Sequence, residues 1–275
     1  MNCRAQPWLG TLVDVRIADP LSPASLAAAF DAAFSRIALV HRLMSFHAAE
    51  SDVSRINRAA PDTSIAIDPH TARVLDAALM LQQASAWIFN IGCGTRLAQW
   101  DYLPLPAQTL PAYQSQDSGL LLGTNGTVRK TRDVLIDLGG IAKGYAVDVA
   151  IDALRAIGVQ SACVNAGGDV RVLGSGTFAI AIRDPARVTG TGAEVALGDA
   201  ALATSATYFS LRQTGSDQVS ALVDGRNGAA ITSAISASVL APTCMIADAL
   251  TKIVMATGDA QHPLLARFAA RALIL

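Results

Sequence analysis

The twenty residues "LIDLGGIAKGYAVDVAIDAL", Leu135 to Leu154, constrain this chain more than any other stretch. Val147, Ala150, Ile151, Leu154 and Ile157 recur at helical spacing, with Asp148, Asp152 and Arg155 on the opposite face, and Gly158 supplies a stop. The reading is a buried strand, "VLID", that runs through a turn from Leu138 to Gly144 into a helix starting near Tyr145. Glycines in such a turn let the backbone approach a ligand closely. The free N–H groups and dipole of a helix start favour an anion, and a pyrophosphate suits that geometry. Lys143 adds a mobile positive charge at the same mouth, and Asp137 at the strand end is placed to accept from a hydroxyl or an amide. The competing reading is a tight turn and nothing more, because the stretch is neither a G-x-G-x-x-G fingerprint nor a G-x-x-x-x-G-K-[ST] loop. Spacing alone leaves the ligand unnamed.

Around this centre the pattern alternates between the two periods. "GTLVDVRIAD" reads as a strand. Ser22 caps a helix with Pro23 at its first position and Leu26, Phe30, Phe34, Ile37 and Val40 on one face. Asp68 and Pro69 repeat that logic for a helix burying Val74, Leu75, Ala78 and Leu79. Trp100 to Asn125 is rich in Pro, Gln, Ser and Gly and reads as loop with short strands. "SACVNAGGDVRVLGSGTFAIAIRD" reads as three strands, and "MIADALTKIVMATG" as a helix ending at Gly258. The class is α/β or α+β, with residues 1–275 expected as a single domain.

Composition narrows the partners. Of 275 residues 52% are hydrophobic and 16% charged, with a formal net charge of -1, so no electrostatic footprint for nucleic acid or an anionic membrane is present. Cys3, Cys93, Cys163 and Cys244 lack metal-ligand spacing and read as free thiols. Asn227 to Ala247 carries no Asp, Glu, Lys or Arg, yet Ser, Thr and Pro242 interrupt it and "ITSAISASV" partly alternates, so no membrane span is expected. The opening "MNCRAQPWLGTLVDV" has no apolar leader, and a cytoplasmic location is expected for the sequence as written, a periplasmic one if it is trimmed.

Several segments resemble, in order, the blocks of the ApbE family of FAD:protein FMN transferases. "LIDLGGIAKGYAVD" is similar to its central motif, "WLGT" to its opening block and "MSFHAAESDVSRIN" to the block M-S-x-Y followed by S-x-x-S-x-x-N. "IFNIGCG" resembles G-x-F-D, "NAGGDV" the second glycine block, "LATSATY" the T-S-G-x-Y block and "IADALTKIVMATG" the closing A-D-A-L-x-T helix. The resemblance implies mixed sheets with flanking helices and a flavin site between two lobes. It also implies an Mg²⁺-dependent reaction that moves FMN from FAD onto a Thr or Ser hydroxyl of an acceptor protein and releases AMP. By position, Asp137, Gly139, Gly140 and Lys143 would lie in the FAD site and Met44, Phe89 and Asn90 near the flavin. Asp248 would hold the metal together with the Gly140 carbonyl.

Three departures accompany the resemblance. The Thr expected four residues after the Asp of the closing helix is Lys252, with Thr251 one residue early and turned about 60° to one side. Thr251 would reach a metal only with adjustment, whereas the Lys252 ammonium is able to occupy the place of the cation and act in the reaction beside Asp248. Ser220 and Ala221 stand where the family has a His before its I-x-D-P-x-T-G segment, of which Asp224 and Gly228 remain. Losing a general base costs on the order of 10²–10⁴ in rate. Asn90 replaces Asp and His47 replaces Tyr. These departures leave two alternatives to transfer: an FAD-binding protein without transfer activity, or an FAD hydrolase giving FMN and AMP.

Overall fold

Seven antiparallel strands make one sheet in the spatial order Asn2–Trp8, Thr11–Ile17, Ala162–Ala166, Asp169–Leu173, Ala201–Ala206, Ser236–Ala241, Arg271–Ile274. The computed structural model describes residues 1–105, 109–187 and 190–275. They divide into a first unit, Met1–His41, Ile141–Ala206 and Ala234–Leu275, and a second, Arg42–Gly140 and Thr207–Ser233. The seven-stranded sheet belongs wholly to the first unit.

Local chemistry explains its hairpins. Leu9 and Gly10, at φ 56° and 73°, close the first one as a two-residue turn whose twist matches that of the flanking strands. Gly167 and Gly168, at φ 64° and 103°, do the same for "NAGGDV", so this pair of glycines serves a strand turn. Along Asp169–Leu173 successive side chains point to opposite faces. Val170 and Val172 join Cys163, Leu202, Phe178, Ile182 and Leu197 in an apolar cluster with the hairpin Phe178–Arg183 and Thr191–Leu197. Asp169 and Arg171 face the other way, toward the central helix Ala142–Ala156. The closing helix Cys244–Thr257 packs beside it over the small residues of the Ala201–Ala206 strand.

The helix signals read from the sequence hold. Pro23–Met44 begins after Ser22, whose hydroxyl accepts from the Ser25 N–H, and buries Phe30, Phe34, Ile37 and Val40. Among the described residues it is the one helix long and apolar enough to cross a bilayer. Pro69–Ala84 is capped by Asp68, and the closing helix stops at Gly258 at φ 66°. In the second unit the strands Ser64–Ala66, Leu120–Leu122 and Thr127–Lys130 form a three-stranded sheet. Leu120–Leu122 falls within Trp100 to Asn125, the stretch read as loop with short strands, and Thr127–Lys130 follows it; residues 106–108 lie outside the described residues.

Two local expectations are corrected. The segment Val134–Asp137 forms no strand pair among the described residues; the buried Asn57 side chain takes that part, accepting from the Ile136 N–H at 2.8 Å and donating to the Ile136 carbonyl at 2.9 Å. The Asp137 N–H donates to the Ile91 carbonyl and the Gly94 N–H to the Leu135 carbonyl. The central helix begins at Ala142, three residues before Tyr145, which puts Lys143 inside its first turn.

All four cysteines are free. Burial pushes the Cys163 thiol up to about 12 and raises Cys93 and Cys244 as well, so these three stay protonated, whereas Cys3 is exposed. Because the thiolate is the reactive form, one equivalent of fast-reacting thiol is expected with Ellman's reagent at pH 8 in the native protein, and four after denaturation. Two or more fast equivalents in the native protein would contradict this packing.

Candidate functional site

The central and closing helices each carry the carboxylate that caps the other. Thr243, at the start of the closing helix, makes no side-chain capping bond; instead Asp148 accepts from the Cys244 N–H at 2.8 Å and the Met245 N–H at 2.9 Å. Arg171 holds the same carboxylate at 2.6 Å. In return Asp248 Oδ2 accepts from the Gly144 N–H at 3.1 Å, in the first turn of the central helix. A helix start has four N–H groups without partners inside the helix, and a carboxylate there also complements the dipole.

This arrangement changes the reading of the central stretch. Asp148 does not lie with Asp152 and Arg155 on an exposed face: it is buried, while Asp152 and Arg155 form an exposed i,i+3 pair. Gly144 is required by the neighbouring helix, since a Cβ there would overlap the Cys244 carbonyl and press on the Asp248 Cβ. One of the N–H groups expected to face an anion is therefore committed to Asp248.

A chain of alternating charges follows from these contacts. Lys143 Nζ lies 2.6 Å from Asp169 Oδ2 and 3.5 Å from Asp248 Oδ2. Lys252, one helical turn after Asp248, bonds with its ammonium to Asp248 Oδ1 and, at 3.0 Å, to the Asp248 carbonyl. Side-chain exposure is 3% for Asp169, 0% for Asp248, 14% for Lys252 and 29% for Lys143, so the carboxylates are sealed and the ammonium groups reach solvent. Burial raises Asp248, but the Lys143 and Lys252 charges and the bonds from Lys252 and the Gly144 N–H outweigh it and hold this carboxyl below its usual range. Burial and the neighbouring Asp248 charge push Asp169 up by more than the two lysines lower it. Burial alone would lower Lys143, yet Asp169 and Asp248 raise it, so it stays charged. Separated carboxylate affinities of this kind often mark functional sites.

The remaining expected site residues fall as follows. Thr251 is fully buried: its hydroxyl donates to the Asp248 carbonyl at 2.6 Å and shares a 2.7 Å bond with Ser205 on the sheet. Asp137, Gly139 and Gly140 belong to the second unit, where Asp137 Oδ2 accepts from the Gly139 N–H at 3.0 Å. Met44, Phe89 and Asn90 are buried in the second unit. Asn90 Oδ1 accepts from the Gly92 N–H and from Gln82, while its amide nitrogen donates to the Tyr113 hydroxyl and the Ser115 carbonyl. A carboxylate has no hydrogen to give those two oxygens, which is a physical reason for Asn at this position. Ser220 is equally committed, donating to the Ile231 carbonyl at 2.6 Å and accepting from the Leu222 N–H. His47 is exposed in its loop. Sequence reasoning did not single out Asp169 or Arg171; their signal was two polar side chains at alternate positions of a strand whose other members are apolar.

The Mg²⁺ that the family resemblance implies does not fit these side chains. Magnesium asks for near-octahedral oxygens at about 2.0–2.1 Å, whereas both Asp248 oxygens already receive hydrogen bonds and the Thr251 hydroxyl is turned to Ser205 and a carbonyl. Among the described residues no three His, Cys, Asp or Glu side chains group to hold a metal ion.

With this geometry, solved structures give the class of the fold. The chain superposes on the ApbE protein of Thermotoga maritima with a TM-score of 0.85 at 24% identity, covering 99% of this chain and 93% of that one. The flavin transferase ApbE of Vibrio cholerae gives 0.81 at 23% identity, covering 99% and 92%. This chain shares their fold, which in this protein is a mixed α+β arrangement of helices and antiparallel sheets.

The sequence profile of the ApbE family matches residues 9–274, and the chain belongs to that family. Among its relatives, the FAD:protein FMN transferase of Rhodobacter capsulatus is 31% identical over 245 residues, 82% of this chain and 46% of that protein. The FAD:protein FMN transferase of Treponema pallidum is 26% identical over 286 residues, 93% of this chain and 78% of that protein. The chain thus spans about half the length of the Rhodobacter relative.

Proposed function

We propose that this protein is an FAD:protein FMN transferase acting on a Thr or Ser hydroxyl of an acceptor flavoprotein. The observation that carries the reading is the family match from residue 9 to residue 274, which includes every block around the Lys143, Asp169, Asp248 and Lys252 cluster. In the reaction the acceptor hydroxyl oxygen forms a bond to the FMN phosphorus. The bond from that phosphorus to the bridging oxygen breaks, AMP leaves with the bridging oxygen, and the hydroxyl proton is released. Phosphoryl transfer of this kind depends mainly on positioning and charge stabilisation. Lys143 and Lys252 supply partly exposed positive charge for a diphosphate, and Asp169 and Asp248 fix where those charges sit. The family resemblance also assigns Asp137, Gly139, Gly140, Met44, Phe89 and Asn90, all in the second unit, to the flavin nucleotide.

A second reading rests on Ser220. Its hydroxyl closes a turn and leaves no proton acceptor where a His is expected, which favours an FAD-binding protein without transfer activity. In-gel flavin fluorescence after incubation with FAD and a flavin-acceptor domain separates the two. A fluorescent acceptor band with one AMP per flavin supports transfer. Stoichiometric bound FAD without AMP overturns transfer in favour of binding, and free FMN with AMP in the absence of acceptor shows hydrolysis.

A further inference from the structure

We propose that the Lys252 ammonium is the resident cation of the Asp248 carboxylate, and that the first unit engages a diphosphate through Lys252 and Lys143 with no divalent ion held by protein side chains. The diphosphate half rests on the proposed flavin-nucleotide function. The cation half rests on geometry alone.

Charge balance is the first argument. Asp169, Asp248, Lys143 and Lys252 bring two negative and two positive charges to one buried cluster, and the neighbouring pair of Asp148 and Arg171 is balanced as well. A divalent ion would add two positive charges beside two ammonium groups within a few ångströms, where screening by water is weak. The second argument is coordination. Lys252 takes Asp248 Oδ1 and the Asp248 carbonyl, the Gly144 N–H and Lys143 share Oδ2, and Thr251 is spent on the same carbonyl and on Ser205. No oxygen of Asp248 is left without a donor. The third is hydrogen count: an ammonium has three N–H donors, and Lys252 spends two on Asp248 and Lys143 two on carboxylates. Each keeps one for an anion, on the side chains of the cluster that retain exposure. A tethered ammonium is present at any metal concentration, so the site is charged without loading.

Titration of the purified wild-type protein with Mn²⁺, followed by the loss of the free-ion electron paramagnetic resonance signal, tests the cation half without any flavin. No stoichiometric binding below about 1 mM free Mn²⁺ is expected, and one tight equivalent at micromolar concentration would overturn the proposal. Lys252→Thr removes the ammonium and is expected to raise Mn²⁺ affinity at least tenfold; unchanged affinity in a variant with the wild-type circular dichroism spectrum would count against Lys252 as the occupant. For the diphosphate half, FAD binding is measured by fluorescence quenching in EDTA. The wild-type Kd is expected to change less than twofold on chelation and to weaken at least tenfold in Lys252→Met. Binding lost on chelation overturns the inference, whereas a wild-type protein that binds no FAD with or without Mg²⁺ overturns the proposed function and leaves the Mn²⁺ result to judge Lys252.

Discussion

Asp248→Ala is expected to abolish flavin transfer, a loss of at least about 10²–10³ in rate, the scale on which a preorganised electrostatic group acts. The effect arises through position. Asp248 receives Lys252 on one oxygen and Lys143 with the Gly144 N–H on the other, so its removal frees the Lys252 side chain, takes one of two carboxylates from Lys143 and uncaps the start of the central helix. Lys143 retains Asp169, and the fold is expected to survive with reduced stability. Asp248→Asn separates the roles: its amide oxygen still accepts one bond, but its nitrogen cannot accept from the Gly144 N–H or hold an ammonium. It should keep most of the stability and little of the transfer. Acceptor fluorescence and thermal melts of both variants check this, and undiminished transfer by Asp248→Ala would remove Asp248 from the site. The acid limb carries a further mark. A depressed carboxyl contributes stability above its ordinary value of 3.8 and loses it as pH falls through the lower folded value. That part of acid unfolding should be missing from Asp248→Ala.

The second large effect is on stability. Asp148→Ala leaves the Arg171 guanidinium without its carboxylate and the Cys244 and Met245 N–H groups without acceptors, all in a buried setting. Breaking a buried pair by removing one partner costs about 3–5 kcal/mol, which lowers Tm by roughly 6–20 °C for a chain of this size. Asp148→Asn keeps an acceptor for one N–H and should lose less. Thermal and urea melts measure both. A loss in Asp148→Ala no larger than the roughly 0.5 kcal/mol typical of a surface change would show that the reciprocal caps do not form as described.

Ser22 with Pro23, Asp68 with Pro69 and Gly258 marked three helices from the sequence alone, and the alternation in Ala162–Ala166, Asp169–Leu173 and Phe178–Arg183 marked three strands. These signals work because a cap or a two-residue period is satisfied within a few residues of itself. The order of the family motifs and the i,i+4 spacing of Asp248 and Lys252 were legible for the same reason. Tertiary structure decided the rest. Helical spacing put Asp148 on the polar face of an amphipathic helix, yet its partners, Arg171 and the start of the closing helix, lie up to 97 residues away. Asn57 stands in for a strand partner of Ile136, 79 residues away, and Asn90 reaches Tyr113 and Ser115, so neither side chain reveals its role from its neighbours. The sequence determined where helices and hairpins begin and end; only folding determined which buried charges meet, because a charge in the interior is held by whatever partner the packing brings to it.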